Sequence, residues 1–139
     1  MIVLDTNVIS EIWRATPSSK VIAWLRAQPD AALFVTTITE AEIFYGVALL
    51  SNGRGRRALE MVAQQMFADT FAGRILPFDS AAAREYAVVA ASRRRSGRPI
   101  AEADAQIAAI SRSRDALLAT RNLDDFAGCT IELVDPWTA

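Results

Sequence analysis

The chain has 139 residues, 52% of them apolar and 22% charged, which is the balance of one globular domain rather than a disordered segment. It holds no histidine and one cysteine, which excludes His-based acid–base catalysis, Ser-His-Asp and Cys-His triads, Cys/His zinc sites and an internal disulfide framework. With 15 basic and 16 acidic residues the net charge is −1, so no whole-molecule field draws the protein onto nucleic acid.

Ile2-Val3-Leu4 is a short run of β-favouring residues ending at Asp5, and Leu33 to Thr37 is another. Between them, apolar residues at helical spacing predict helices over Val8 to Trp13 and Val21 to Leu25, the second introduced by Pro17-Ser18-Ser19. A third helix runs from Thr39 to Leu50 with Ile43, Val47 and Leu50 on one stripe, closed by Asn52-Gly53. Ala58 to Phe71 reads as a longer helix with Leu59, Val62 and Met66 inward, stopped at Gly73. Ile75 to Phe78 reads as a short extended link. Asp79 or Ser80 then caps an alanine-rich helix to about Arg95, ended by Gly97 and Pro99. Ile100 to Ser113 is the last helix, and Leu117 to Thr120 and Ile131 to Val134 are the last strands. Strands alternating with helices predict an α/β domain with a central parallel sheet flanked by helices, and no linker or repeat divides residues 1–139.

Among the basic residues only Lys20 is a lysine; the arginines group at Arg54, Arg56, Arg57 and at Arg93, Arg94, Arg95, Arg98. Arginine forks suit phosphate, but for any single arginine a solvated helix face is the favoured reading. No apolar run approaches the roughly 20 residues of a membrane span, and Met1 leads into a strand without a basic signal-peptide start. A cytoplasmic protein without membrane contact is expected.

Four acidic positions carry the functional reading. Asp5 stands at the carboxyl end of the first strand, the edge where open α/β sheets bind ligands, although Asp5-Thr6-Asn7 also reads as a helix cap. Glu42 follows the second strand; Thr39-x-x-Glu42 also matches a capping box. Glu40 lies about 200° around the helix from Glu42, so only one of the two faces the strand edge, and the neighbouring stripe residue Ile43 favours Glu42. Asp104 sits beside the stripe Ile100, Ala103, Ile107, Ile110 near a helix N-terminus, where the helix dipole favours negative charge. Thr120, Arg121, Asn122, Asp124 and Asp125 follow the fourth strand in what also reads as a polar turn.

Jointly these acids belong to one edge of a sheet. Carboxylates about 5 Å apart repel by about 3 kcal/mol per pair at an effective dielectric of 20, so their convergence demands a cation or a shared proton. Hard divalent cations such as Mg²⁺ take oxygen ligands together with waters and substrate phosphate, and activate bound water. That replaces the missing histidine base.

The same residues resemble the PIN-domain ribonucleases, especially VapC-type toxins of toxin–antitoxin pairs. Met1 to Glu11, with Asp5-Thr6-Asn7, looks like the family's opening strand and D-T-N motif. Thr39 to Ile43 with Tyr45-Gly46-Val47, and Ile100 to Asp104 with Ile107-Ala108-Ala109, look like its second and third acidic motifs. Ala119-Thr120-Arg121-Asn122 with Asp125-Phe126 resembles the closing motif, while Gly46 to Leu50, Ala72 to Asp79 and Pro136-Trp137 place the chain near the FitB-like branch.

The resemblance implies a single PIN domain over residues 1–139, a three-layer sandwich around a parallel sheet. It implies Asp5, Glu42 and Asp104 as ligands of Mg²⁺ or Mn²⁺, and metal-dependent endoribonuclease activity. Where the family often has a fourth acid this chain has Asn122, and Asp125, ahead of Asp124, is expected to supply that charge. Thr6 and Thr120 are expected to position water or ligands. The implied partners are RNA, a cognate antitoxin and a second copy in a homodimer or a dimer of toxin–antitoxin heterodimers, with operator DNA reached only through the antitoxin. Apolar residues in the first half (Ile12, Trp13, Trp24, Phe44, Tyr45, Leu49) are core, with some left for those interfaces.

Two other classes remain. A PIN-fold protein made inert by Asn122 would act by binding its antitoxin or RNA. A phosphatase-like or nucleotide-binding protein would show a Gly-rich loop after a strand, whereas Gly53-Arg54-Gly55 follows a helix.

Overall fold

The computed structural model describes residues 1–139. Five strands, β1 (Ile2–Leu4), β2 (Leu33–Thr36), β3 (Ile75–Leu76), β4 (Leu117–Ala119) and β5 (Leu133–Val134), form one sheet in the order β3-β2-β1-β4-β5. Every pairing is parallel, with Ile2 beside both Leu33 and Leu117, and Leu4 beside Ala119. Because parallel neighbours require crossovers, six helices connect them: α1 (Thr6–Ile12), α2 (Ser19–Arg26), α3 (Thr37–Ala48), α4 (Arg54–Gln65), α5 (Ser80–Arg95) and α6 (Glu102–Ser113).

The two-residue alternation of the strands feeds two cores. Leu4, Leu33, Val35 and Ala119 pack with Val8, Ile9, Val21, Ile43 and Phe67 from the helices of the first half. Val3, Leu76 and Leu118 face the other way, onto Ala82, Val89, Ile107 and Ile110 of α5 and α6. Each fully buried aliphatic side chain contributes about 1.5–3 kcal/mol, and the sheet is fixed between two such layers. The expected parallel α/β sandwich is therefore observed.

Four local readings change. Ile75 and Leu76, expected as a link, pair with Val35 and Thr36 and become the edge strand; Pro77 follows where no further ladder bond is needed. α3 begins at Thr37 with Thr36 as its cap, and ends before Leu50, which is exposed rather than on the buried stripe. α4 starts at Arg54, four residues earlier than the apolar pattern signals, and Val62 is exposed. Its end widens into a π-helical turn over Met66–Thr70, which lets the adjacent Met66 and Phe67 both reach the core.

The second arginine group divides in two. Arg94, Arg95 and Arg98 are exposed, but Arg93 is buried at 6% exposure. Its Nε donates to the Arg98 carbonyl at 2.7 Å, and its Nη1 to the carbonyls of Asp125 at 2.7 Å and Ala127 at 3.2 Å. Arg93 thus ties the end of α5 to the loop after β4 and is neither part of a solvated helix face nor free to hold a phosphate. Gly97, at φ +76°, supplies the left-handed turn that brings the Arg98 carbonyl back to Arg93.

Candidate active site

The parallel register carries Asp5 and Thr120 past the ends of adjacent strands together; the Asp5 N–H donates to the Ala119 carbonyl at 2.9 Å. Asp5 is 5% exposed. Its Oδ1 accepts the Thr6 N–H at 2.8 Å, so the helix-cap reading is correct as far as it goes. Its Oδ2 accepts the Thr120 hydroxyl at 2.7 Å and the Asn7 amide at 3.4 Å, so the same carboxylate is also the centre of a polar network. Burial raises its pKa; the Thr120 and Thr6 bonds pull it down, and the charges of Glu42 and Asp125 push it up again.

Glu42 reaches the same edge from α3. The Thr6 hydroxyl donates to its Oε1 at 2.8 Å. Because that uses the only proton Thr6 has, Thr39 donates to Thr6 across 2.9 Å, and Thr36 in turn donates to Thr39 across 3.5 Å. The capping-box alternative falls: Thr36, not Thr39, caps the helix, accepting the Thr39 N–H at 3.1 Å, and Glu42 lies too far along to return to the cap.

Asp104 enters from the first turn of α6. Its pKa is pushed up to about 6, first by burial and then by the charges of Asp5, Asp125 and Glu42, against a smaller opposing pull from Arg93. Four carboxylates from four parts of the chain therefore share one electrostatic environment. Asp125 is exposed on the short helical turn Leu123–Phe126 and, with Asp124, lines a neighbouring hollow instead of the one holding the other acids. Asn122 is positioned by its N–H bond to the Thr120 hydroxyl, 3.1 Å.

Asp5, Glu42, Asp104 and Asn122 line one open polar pocket of about 500 Å³ at the carboxyl edge of the sheet. Thr6 and Asn7 lie between them, and Thr120 supports them from beneath, fully buried. Glu40 takes no part in the pocket. Glu11, Arg14, Arg121 and Trp137 line it as well; Arg121 and Trp137 enter the sequence reading only as members of motifs, and neither they nor Glu11 and Arg14 are given a part in the site there. Burial alone would raise the Glu11 carboxyl, but the Ser18 N–H and Arg14, each at 3.2 Å, with Trp137 outweigh it and hold the group below its ordinary value. Glu11 is buried where Arg14, the returning chain at Ser18 and Trp137 meet it.

The donor set is entirely oxygen, hard and negative, which suits Mg²⁺ or Mn²⁺ and no soft metal. No three acidic side chains stand close enough to grip one ion together. A cation held there would take one or two carboxylates directly, with waters and a substrate phosphate completing its shell.

A stability prediction follows from Asp104. Its folded pKa, about 6, exceeds the ordinary 3.8, so the folded state binds the proton more readily and the ionised group at neutral pH destabilises it. The metal-free protein gains stability as pH falls from above 6 toward 4 through this group. The full shift corresponds to about 3 kcal/mol, reduced to about 1 kcal/mol by solvent screening at this partly exposed position. Metal-free Asp104→Asn should melt a few degrees above wild type at about pH 8, with the gap closing below pH 5. Melting curves for both proteins across that range check it; a constant gap contradicts it.

The chain belongs to the PIN-domain family, whose model matches residues 2–128. Within it the chain belongs with the VapC and FitB toxins. It is 39% identical to the VapC ribonuclease Y4jK of Sinorhizobium fredii over 137 residues, 99% of this chain and 98% of that protein. It is 40% identical to Toxin FitB of Neisseria gonorrhoeae, covering 99% of each. Among solved structures, FitAB bound to an IR36 DNA fragment superposes with a TM-score of 0.93 at 40% identity, covering 99% of this chain and 96% of that one.

Proposed function

We propose that this protein is a metal-dependent endoribonuclease that serves as the toxin of a toxin–antitoxin pair. The observation that carries the reading is the convergence of Asp5, Glu42 and Asp104, from β1, α3 and α6, on one open pocket with no histidine in the chain. The ribonuclease name of the 39% identical relative and the toxin name of the 40% identical one support it.

Asp5, Glu42 and Asp104 would hold Mg²⁺ or Mn²⁺, one or two of them directly and the rest through water, with Asp125 adding a fourth charge ahead of Asp124. When bound, such an ion neutralises charge on the scissile phosphate and activates water for in-line attack. The chain's own residues aim the carboxylates. Thr120 fixes Asp5 Oδ2 and Thr6 fixes Glu42 Oε1, so that neither group swings away when the ion is absent. Thr39 and Thr36 extend that support into the sheet, and Asn122 offers an uncharged amide at the rim.

A cytoplasmic toxin of this kind works with an antitoxin, in a homodimer or a dimer of toxin–antitoxin heterodimers, and reaches operator DNA through the antitoxin. The likeness to the DNA-bound FitAB complex supports that partnership. No helix is long and apolar enough to cross a membrane. Trp13, Trp24 and Phe44 pack against the core, but Ile12, Tyr45 and Leu49 stay exposed. Ile12, Trp13, Leu25 and Val62 line an apolar groove of about 480 Å³ that fits the apolar face of an antitoxin segment.

Incubating the antitoxin-free protein with RNA should give cleavage in Mn²⁺ or Mg²⁺ and none in excess EDTA. Asn122 at the rim favours one competing reading, an inert protein that acts only by binding. Antitoxin binding without cleavage in either metal establishes that reading instead.

A further inference from the structure

Two guanidinium groups border the acidic pocket, and they are held differently. Arg14 is committed: its Nη1 lies 3.2 Å from the Glu11 carboxylate. Arg121 forms no ion pair and its side chain makes no hydrogen bond, although Asp5, Glu42 and Asp104 line the same pocket. Its guanidinium carbon lies 5.1 Å from the centre of the Trp137 ring. A guanidinium seated over a ring, with no ion pair or side-chain hydrogen bond of its own, keeps its N–H groups available, and its fork matches a phosphate by two parallel bonds. The Arg121 N–H also donates to the Asn7 side chain at 3.4 Å, which ties the backbone of this position to the network around Asp5. Trp137 in turn packs against the core and beside Glu11, so the platform itself is fixed.

We propose that Arg121, stacked on Trp137, is a phosphate subsite that holds the RNA backbone one step away from the scissile bond. The inference rests on the ribonuclease reading and adds to it the residue that places the strand over the carboxylates. Unlike the arginines of α4 and α5, Arg121 borders both the acidic pocket and the adjoining hollow of about 460 Å³, so a strand held there crosses the rim between them. The stack keeps the cation from collapsing onto the carboxylates when no substrate is bound.

The test compares wild type, Arg121→Ala, Arg121→Lys and Trp137→Phe in two assays: binding of a short fluorescein-labelled single-stranded RNA in EDTA, and KM and kcat for cleavage in Mn²⁺. Arg121→Ala should weaken binding and raise KM by about tenfold, with kcat changed far less, and should lower the salt dependence of binding by about one phosphate contact. Arg121→Lys should recover part of the loss, because it keeps the charge but not the fork. Trp137→Phe keeps the ring in place and should show a smaller rise in KM. Unchanged RNA binding and KM in Arg121→Ala overturn the proposal, and they do so equally if that variant instead loses affinity for the antitoxin. A wild-type protein that cleaves no RNA overturns the ribonuclease reading, whereas an active wild type with an indifferent Arg121→Ala overturns this inference alone.

Discussion

Asp5→Asn should lower kcat for RNA cleavage by about a thousandfold while the protein still folds. The substitution keeps the size of the side chain and an oxygen for the Thr6 N–H, so the start of α1 remains capped. What it removes is a buried negative charge of the pocket, together with one of the two oxygens now fixed by Thr6 and Thr120. Burying that charge is unfavourable in the absence of a cation, and the raised pKa of Asp5 reflects it. Metal-free Asp5→Asn should therefore be at least as stable as wild type. Steady-state kinetics in saturating Mn²⁺, alongside circular dichroism melts, measure both. Half of wild-type activity in a folded Asp5→Asn protein would place the chemistry elsewhere.

Arg93→Ala should be the most damaging single change to stability outside the apolar cores, at about 3 kcal/mol. It strips three backbone carbonyls, those of Arg98, Asp125 and Ala127, of the same donor group and leaves a cavity where the guanidinium lies. The neighbouring Arg94 is exposed, and Arg94→Ala should stay within about 0.5 kcal/mol of wild type. Urea denaturation midpoints separate the two. Equal midpoints would show that the buried arginine is no more than another member of a solvated cluster. The change should also reach the site, because Arg93 anchors the backbone of Asp125 and its charge opposes the rise in the Asp104 pKa.

Much of this architecture is legible in the residues because local and tertiary preferences agree. Ile2–Leu4 and Leu117–Ala119 are compact apolar runs buried on both faces, and a parallel sheet requires that pattern. Asp5 stands immediately after a strand, Asp104 in the first turn of a helix and Glu42 one turn into the helix that follows β2, so the topology carries them to one edge. The parts that stayed hidden depend on distant partners. The Ile75–Leu76 strand exists only because β2 offers it an edge. Arg93 looks like its neighbours Arg94 and Arg95 until the loop after β4 folds over it. Glu11 and Trp137 are 126 positions apart, from 11 to 137, and no periodicity links them; the pocket wall they share comes from the C-terminal segment returning over α1. Thr39 showed its capping chemistry in sequence, but the choice between closing a capping box and supporting Thr6 is decided by α1 lying alongside α3.

An acidic pocket without histidine is proposed here to work through a divalent cation. A crystal grown with Mn²⁺ and measured at the manganese absorption edge tests it most directly. An anomalous peak is expected in the pocket within about 2.0–2.2 Å of an oxygen of Asp5, Glu42 or Asp104, the rest of its coordination shell completed by water. A pocket without such a peak at a Mn²⁺ concentration that supports RNA cleavage would contradict it.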